Sequence, residues 1–178
     1  MIQTLTVLQL ILIIAVIFYM TANIIYLVRL QPVVKPISNP PRLSVCVPAR
    51  DEARGIQACL QSLLNQDYPN FEVIAIDDHS TDSTGDIMRT LSQENAHLKV
   101  LKAADLPEDW LGKPFALHQA FKIAQGEYLL FTDADLVFQS TTLNTAVHVM
   151  RARELDLLTL MPQAEFGSFW ERAVQPVI

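Results

Sequence analysis

The chain has 178 residues, of which 51% are hydrophobic and 18% charged, with 13 Lys+Arg against 19 Asp+Glu for a net charge of -6. That length supports one domain with a real core, and the composition excludes a disordered chain. With 2 cysteines a disulfide-stapled scaffold is excluded too, and an acidic balance without a basic run excludes nucleic acid as the main partner.

The charge is unevenly spread, with no Asp, Glu, Lys or Arg before Arg29. From Leu5 to Val28 the chain is almost wholly apolar, interrupted mainly by Gln9, Thr21 and Asn23. As a helix at about 1.5 Å per residue it would run roughly 36 Å, enough to cross a bilayer with tilt. A signal peptide is the alternative, but no basic residue precedes the apolar run and no small-x-small cleavage pattern closes it. Residues 1–30 therefore read as a transmembrane anchor. Arg29, Lys35, Arg42, Arg50 and Arg54 follow it, which predicts the N-terminus outside and the domain in the cytoplasm. Residues 31–42 carry Pro32, Pro36, Pro40 and Pro41 and read as a semi-rigid linker, so the soluble domain is expected over 43–178.

Within the domain, Leu43–Val47 is a short apolar, β-branched run ending at Pro48, the signal of a buried strand. Gly55–Leu64 places Ile56, Cys59, Leu60, Leu63 and Leu64 at helical spacing. After the turn at 65–70, Phe71–Ile76 reads as a second strand. Ser83 or Thr84 is expected to cap a helix running to about Ser92. Leu98–Leu101 is a third strand, 103–113 a loop, and Pro114–Ala124 a helix with proline tolerated in its first turn. Tyr128–Thr132 is a fourth strand, Thr142–Glu154 a helix and Leu157–Met161 a fifth strand. Apolar strands alternating with helices predict an α/β fold, a mostly parallel sheet sandwiched by helices.

Ligands of such sheets bind beyond the carboxyl ends of the strands, and there the acids collect. The first strand leads into Pro48, Ala49, Arg50, Asp51 and Glu52, the second into Asp77 and Asp78, the fourth into Asp133, Ala134 and Asp135. One acidic strand end is ordinary turn or cap chemistry. Three on one edge repel each other unless a cation or a hydrogen-bonding ligand sits between them. Asp133 and Asp135, two apart in an extended stretch, would point the same way and could share Mg²⁺ or Mn²⁺ with phosphate oxygens and water. Lys113, after Gly112 and at the start of a helix, suits a diphosphate. Cys46 and Cys59 read as core residues. His79, His97, His118 and His148 lack zinc-ligand spacing, and only His79 stands in the acidic region. Phe166, Phe169, Trp170 and Val174 share one expected helix face, buried or resting on a bilayer surface.

The runs VPARDEARGIQACLQSLLNQDYPNFEVIAIDDHSTDST and GKPFALHQAFKIAQGEYLLFTDADL resemble the family 2 glycosyltransferases with the GT-A (Rossmann-like) fold, over about residues 43–163. The string LPEDWLGKPFALHQA behind an N-terminal apolar segment is similar to the membrane-bound branch acting on lipids such as carotenoids, hopanoids or ceramide. The resemblance implies a nucleotide-sugar donor, a UDP-sugar, with Ala49, Arg50 and Glu52 along base and ribose and Pro48 among the donor-binding residues. The family more often has an aromatic and Asn where Arg50 and Asp51 stand. By the same resemblance Asp78, supported by Asp77, would accept from the uracil imide. Lys113 would approach the diphosphate, Asp133 the ribose or the metal-bound phosphate, and Asp135 would be the principal metal ligand. The acceptor implied is a lipid or polyisoprenoid hydroxyl.

The catalytic base and the QxxRW-like motif of that family are not found before Ile178, and Glu165 and Glu171, the late acids, sit in no such motif. The expectation is a transferase module complete for donor binding and incomplete for transfer, with the base beyond Ile178. Two alternatives follow: a non-catalytic donor-fold membrane subunit or inactive fragment needing a partner half, and a receiver-like phosphoacceptor domain. The latter also uses an acidic pair, a later Asp and a Lys, but carries its acidic pair after the first strand.

Overall fold

The computed structural model of the chain describes residues 2–26, 32–33 and 35–162. They fall into two compact units, one holding residues 2–26 and the other the described residues of Pro32–Leu160. The expected aromatic face at Phe166–Val174, the late acids Glu165 and Glu171, and the Arg29 flank lie outside the described residues.

In the first unit, helix α1 runs over Ile2–Tyr26, and its Thr21 hydroxyl donates to the Ile17 carbonyl at 2.7 Å. Among the described residues no helix is long and apolar enough to cross a membrane. The expected transmembrane anchor is therefore not supported, and the orientation and cytoplasmic placement drawn from it lose their basis.

The second unit is built on four parallel strands, β1 (Leu43–Ala49), β2 (Phe71–Asp77), β3 (Leu98–Lys102) and β4 (Tyr128–Phe131), in the order β3-β2-β1-β4. The helices between them are α2 (Ile56–Leu64), α3 (Thr84–Glu94) and α4 (Gly112–Ile123), with α5 (Thr142–Ala152) after β4. β1 and β2 are buried along their whole length, as expected of central strands of a parallel sheet. Alternation along them sends Val45, Val47, Val73 and Ala75 to one face, where α2, α3 and α5 pack Leu60, Leu63, Met88 and Leu143. Cys46, Ile74 and Ile76 face the other way, against Ala116 and Ala120 of α4.

β1 runs through Pro48 rather than stopping before it. The Cys46 carbonyl accepts from Thr132 and that of Ala49 from Asp78, so Pro48 faces the β4 side, beyond Phe131 where β4 has ended. The missing proline N–H therefore costs no ladder bond. The sheet is not covered on both faces throughout. Tyr128 and Leu130 pack on the larger core, while Leu129 and Phe131 remain exposed on the α4 side, where Phe131, 50% exposed, borders an open apolar hollow with Leu117 and Phe121 of α4.

The expected fifth strand is not formed. Leu157–Met161 is irregular, and Leu157 is 80% exposed. A run of four apolar residues and Thr159 has strand character only beside a hydrogen-bonding neighbour, and among the described residues β4 is the edge of the sheet, paired with β1 alone. The proline-rich segment is held to this unit by named bonds. Val33 N–H donates to Thr145 Oγ1 at 2.9 Å, and Asn144 donates to the Val33 and Lys35 carbonyls. The Tyr68 hydroxyl donates to the Pro41 carbonyl at 2.5 Å.

At the amino end of the sheet, Glu72 is buried on β2. Its carboxylate accepts from the Ser44 hydroxyl at 2.7 Å, Lys99 Nζ at 2.8 Å and Gln125 N–H at 2.8 Å, and pairs with Arg42 at 3.3 Å. Burial pushes this carboxyl up, but Lys99, Ser44 and Gln125 outweigh it and hold it at about 2.

Candidate functional site

The parallel register sets the carboxyl ends of β1, β2 and β4 side by side. Ala49 pairs with Asp77, and Cys46 with Phe131, two residues before Asp133. A cleft of about 210 Å³ opens over these ends. β1 and its loop contribute Pro48, Ala49, Arg50 and Glu52, the end of β2 contributes Asp78, and the start of α4 contributes Lys113. Asp133, Ala134 and Asp135 close it from β4. Of the nine residues singled out in the sequence, eight line this one cleft.

Asp77 is the exception. It is buried, and its Oδ1 accepts the Ser80 N–H at 3.0 Å, so it shapes the turn that presents Asp78. Asp78 Oδ1 lies 3.3 Å from His79 Nδ1, whose other ring nitrogen is 3.7 Å from Asp105. His79 thus stands beside the cleft in the left-handed region, φ 59°, a conformation uncommon for a non-glycine residue.

Three glycines let the helices come close to these acids. A methyl group at Gly112, the first residue of α4, would sit 2.9 Å from Asp78 Oδ2. One at Gly85, in the first turn of α3, would sit 2.5 Å from Asp77 Oδ2. One at Gly55, before α2, would meet the Asp135 Cα at 3.3 Å. Glycine at these helix starts is a matter of close approach. The sequence reading gave Gly55, Gly85 and Ala134 no part in the site. A glycine within two residues of three of the four expected helix starts was the available signal.

Leu111, the residue before α4, supplies no side-chain cap, so the first-turn N–H groups next to the lining residue Lys113 have no capping side chain. The Lys113 ammonium pairs with Asp133 Oδ1. A turn starts at Ala134, so Asp133 and Asp135 are not in an extended stretch as expected, yet both stay exposed while Ala134 is buried between them. Among the described residues no group of three or more His, Cys, Asp or Glu is placed to hold a metal. Two exposed carboxylates do fit Mg²⁺ or Mn²⁺, which commonly take one or two protein carboxylates and complete the shell with phosphate and water.

The cysteines take no part in this chemistry. Burial pushes the Cys46 thiol up to about 11 and the Cys59 thiol up to about 12, and Cys59 Sγ lies 3.6 Å from the Asp133 carbonyl beneath the cleft floor.

A sequence profile described as glycosyl transferase family 2 matches residues 44–176. The chain belongs to glycosyltransferase family 2. The receiver-like alternative is thereby set aside, and the α/β sheet with its helices is GT-A-like. This family 2 chain is 39% identical over 97 residues to a beta-monoglucosyldiacylglycerol synthase of Nostoc sp., covering 53% of this chain and 20% of that one. Over 64% of its length it superposes on TarS of Staphylococcus aureus in complex with UDP-GlcNAc, with a TM-score of 0.54, 34% identity and 32% of that chain covered. The mannosyltransferase PcManGT of Pyrobaculum calidifontis, in complex with GDP-Man and Mn2+, gives a TM-score of 0.60 at 29% identity, over 76% of this chain and 39% of the other. The chain spans well under half the length of these relatives.

Proposed function

We propose that this family 2 chain carries the donor site of a glycosyltransferase that takes a UDP-sugar with a divalent cation and passes the sugar to a lipid-like hydroxyl. The observation that carries the proposal is the meeting of three acidic strand ends and the Lys113 helix start in one open cleft. An acidic cleft of that kind is relieved by a ligand that brings its own cation, as a metal diphosphate does. A UDP-sugar complex of TarS and a Mn2+ complex of PcManGT support the donor and cation, and a diacylglycerol-directed relative supports a lipid acceptor.

In this reading Asp135, with Asp133, holds the cation, which would neutralise charge on the departing diphosphate. Lys113 and the first N–H groups of α4 hold the phosphate oxygens, and Asp78 accepts the uracil imide proton in a hydrogen bond. Pro48, Ala49, Arg50 and Glu52 border base and ribose. Calorimetric titration of the chain with UDP, with and without Mn²⁺, is the test. Binding that needs Mn²⁺ and weakens at least tenfold in Asp135→Ala is expected. Binding indifferent to both would overturn the assignment.

A further inference from the structure

The loop after β1 is stitched to the loop after β2 by three consecutive backbone amides. Asp51 N–H donates to Ser80 Oγ at 3.1 Å, Glu52 N–H to Thr84 Oγ1 at 2.8 Å and Ala53 N–H to Asp82 Oδ2 at 3.1 Å. The reverse direction is supplied by Asp51, whose Oδ1 accepts both the Thr81 N–H at 2.7 Å and the Thr81 hydroxyl at 3.1 Å. Asp82 completes the set by accepting from the Thr84 N–H at 2.9 Å and hydroxyl at 2.5 Å. Asp51 holds φ 55°, in the left-handed region that Asn, Asp and glycine tolerate best. Arg50 and Glu52, its two neighbours in sequence, both line the cleft, whereas Asp51 does not and bonds Thr81 instead. Two exposed loops are thus fixed to each other by side chains rather than by a ladder or a packed core.

We propose that Asp51 is a positioning residue for the donor site: by clasping Thr81 it locks the Arg50–Glu52 arm to the Asp77–Asp78 arm, so that both sides of the cleft are set before a nucleotide arrives. The second part of that statement rests on the donor reading above; the clasp itself does not. The Thr81 N–H and hydroxyl also keep the Asp51 carboxyl below its ordinary range, so it is ionised at neutral pH. What the clasp requires is an acceptor oxygen and tolerance of the left-handed conformation, not a charge.

Three variants separate those requirements. Asp51→Asn keeps an acceptor and the conformation, Asp51→Gly keeps only the conformation, and Asp51→Ala keeps neither. Two readouts apply to each: amide hydrogen exchange over residues 50–54 and 80–84, and the affinity for UDP with Mn²⁺. Exchange at these amides is expected to accelerate at least tenfold in Asp51→Ala, less in Asp51→Gly, and little in Asp51→Asn. UDP affinity should follow the same order, falling about tenfold in Asp51→Ala and being restored by Asn. Unchanged exchange in Asp51→Ala overturns the clasp, and impairment of Asn equal to that of Ala assigns Asp51 a charge-based role instead. If the unaltered chain binds no UDP, the donor reading fails while the exchange arm still decides the clasp.

Discussion

Lys113 and Asp133, one in the first turn of α4 and the other just past β4, form an ion pair across the cleft. Both are more than half exposed, so the pair adds little to stability, about 0–1 kcal/mol. Its consequence is electrostatic. The pair keeps an ammonium beside a carboxylate that would otherwise repel phosphate, and it can open when a cation takes over Asp133. Lys113→Ala is therefore expected to leave the melting temperature within about 2 °C of the unaltered chain and to weaken UDP binding roughly tenfold. The loss should shrink at high salt, where screening already weakens the phosphate contact. Calorimetry at low and high ionic strength, beside a thermal melt, checks both halves.

Gly85 and Gly112 permit a sharper separation. In an open helix, Gly→Ala would stabilise by up to about 1 kcal/mol. Here the added methyl meets Asp77 Oδ2 at 2.5 Å or Asp78 Oδ2 at 2.9 Å. Asp77 is buried and bonded to Ser80, so Gly85→Ala has to displace the turn and is expected to lower stability by about 1–3 kcal/mol. Asp78 is only half-buried and can swing, so Gly112→Ala should cost less stability but weaken UDP binding by moving the carboxylate. Denaturant melts with UDP titrations on both variants test the contrast, and equal stability losses would contradict it.

Much of the arrangement was legible in the sequence because its strongest signals were local. LSVCV and FEVIAI could hardly be anything but buried parallel strands, and acids directly after them had to gather on one edge. Long-range neighbours were not legible. Nothing in LLTLM reveals whether a strand lies beside it, and residues 157–161 are irregular. Glycines near the helix starts hinted at the close approaches of Gly85 and Gly112, but the atoms they meet depend on how α3 and α4 sit on the sheet, and the clasp between Asp51 and Thr81 depends on how two loops meet, which no spacing encodes. The apolar N-terminal run showed the converse limit: its helix was predicted, but among the described residues no helix is long and apolar enough to cross a membrane.

Asp78 leads to a base-specificity prediction. A carboxylate placed to accept from the imide N–H favours uracil over cytosine, which has no donor at that ring position. UDP is expected to bind about tenfold or more tightly than CDP, and Asp78→Ala should erase most of that preference while lowering both affinities. Competition of UDP and CDP against a fluorescent uridine nucleotide measures the ratio directly. An undiminished ratio in the variant would move base selection elsewhere in the cleft.

Glu72 gives the last expectation, on stability rather than binding. It is 2% exposed, far from the cleft, and its carboxylate gathers Ser44, Lys99, Arg42 and the Gln125 N–H. Its folded-state value of about 2 lies below the ordinary 4.5, so the folded state is the poorer binder of protons. The contribution is thus fully present above about pH 4.5 and is lost progressively as pH falls towards 2. Glu72→Gln keeps the shape but leaves Lys99 without its counter-charge, and should cost about 2–4 kcal/mol at neutral pH. Urea melts at a series of pH values then make the decisive comparison. The gap between the unaltered chain and Glu72→Gln should be constant from pH 7 to 5 and narrow below 4.5, whereas a gap that stays constant to pH 3 would mean that packing, not ionisation, carries Glu72's share.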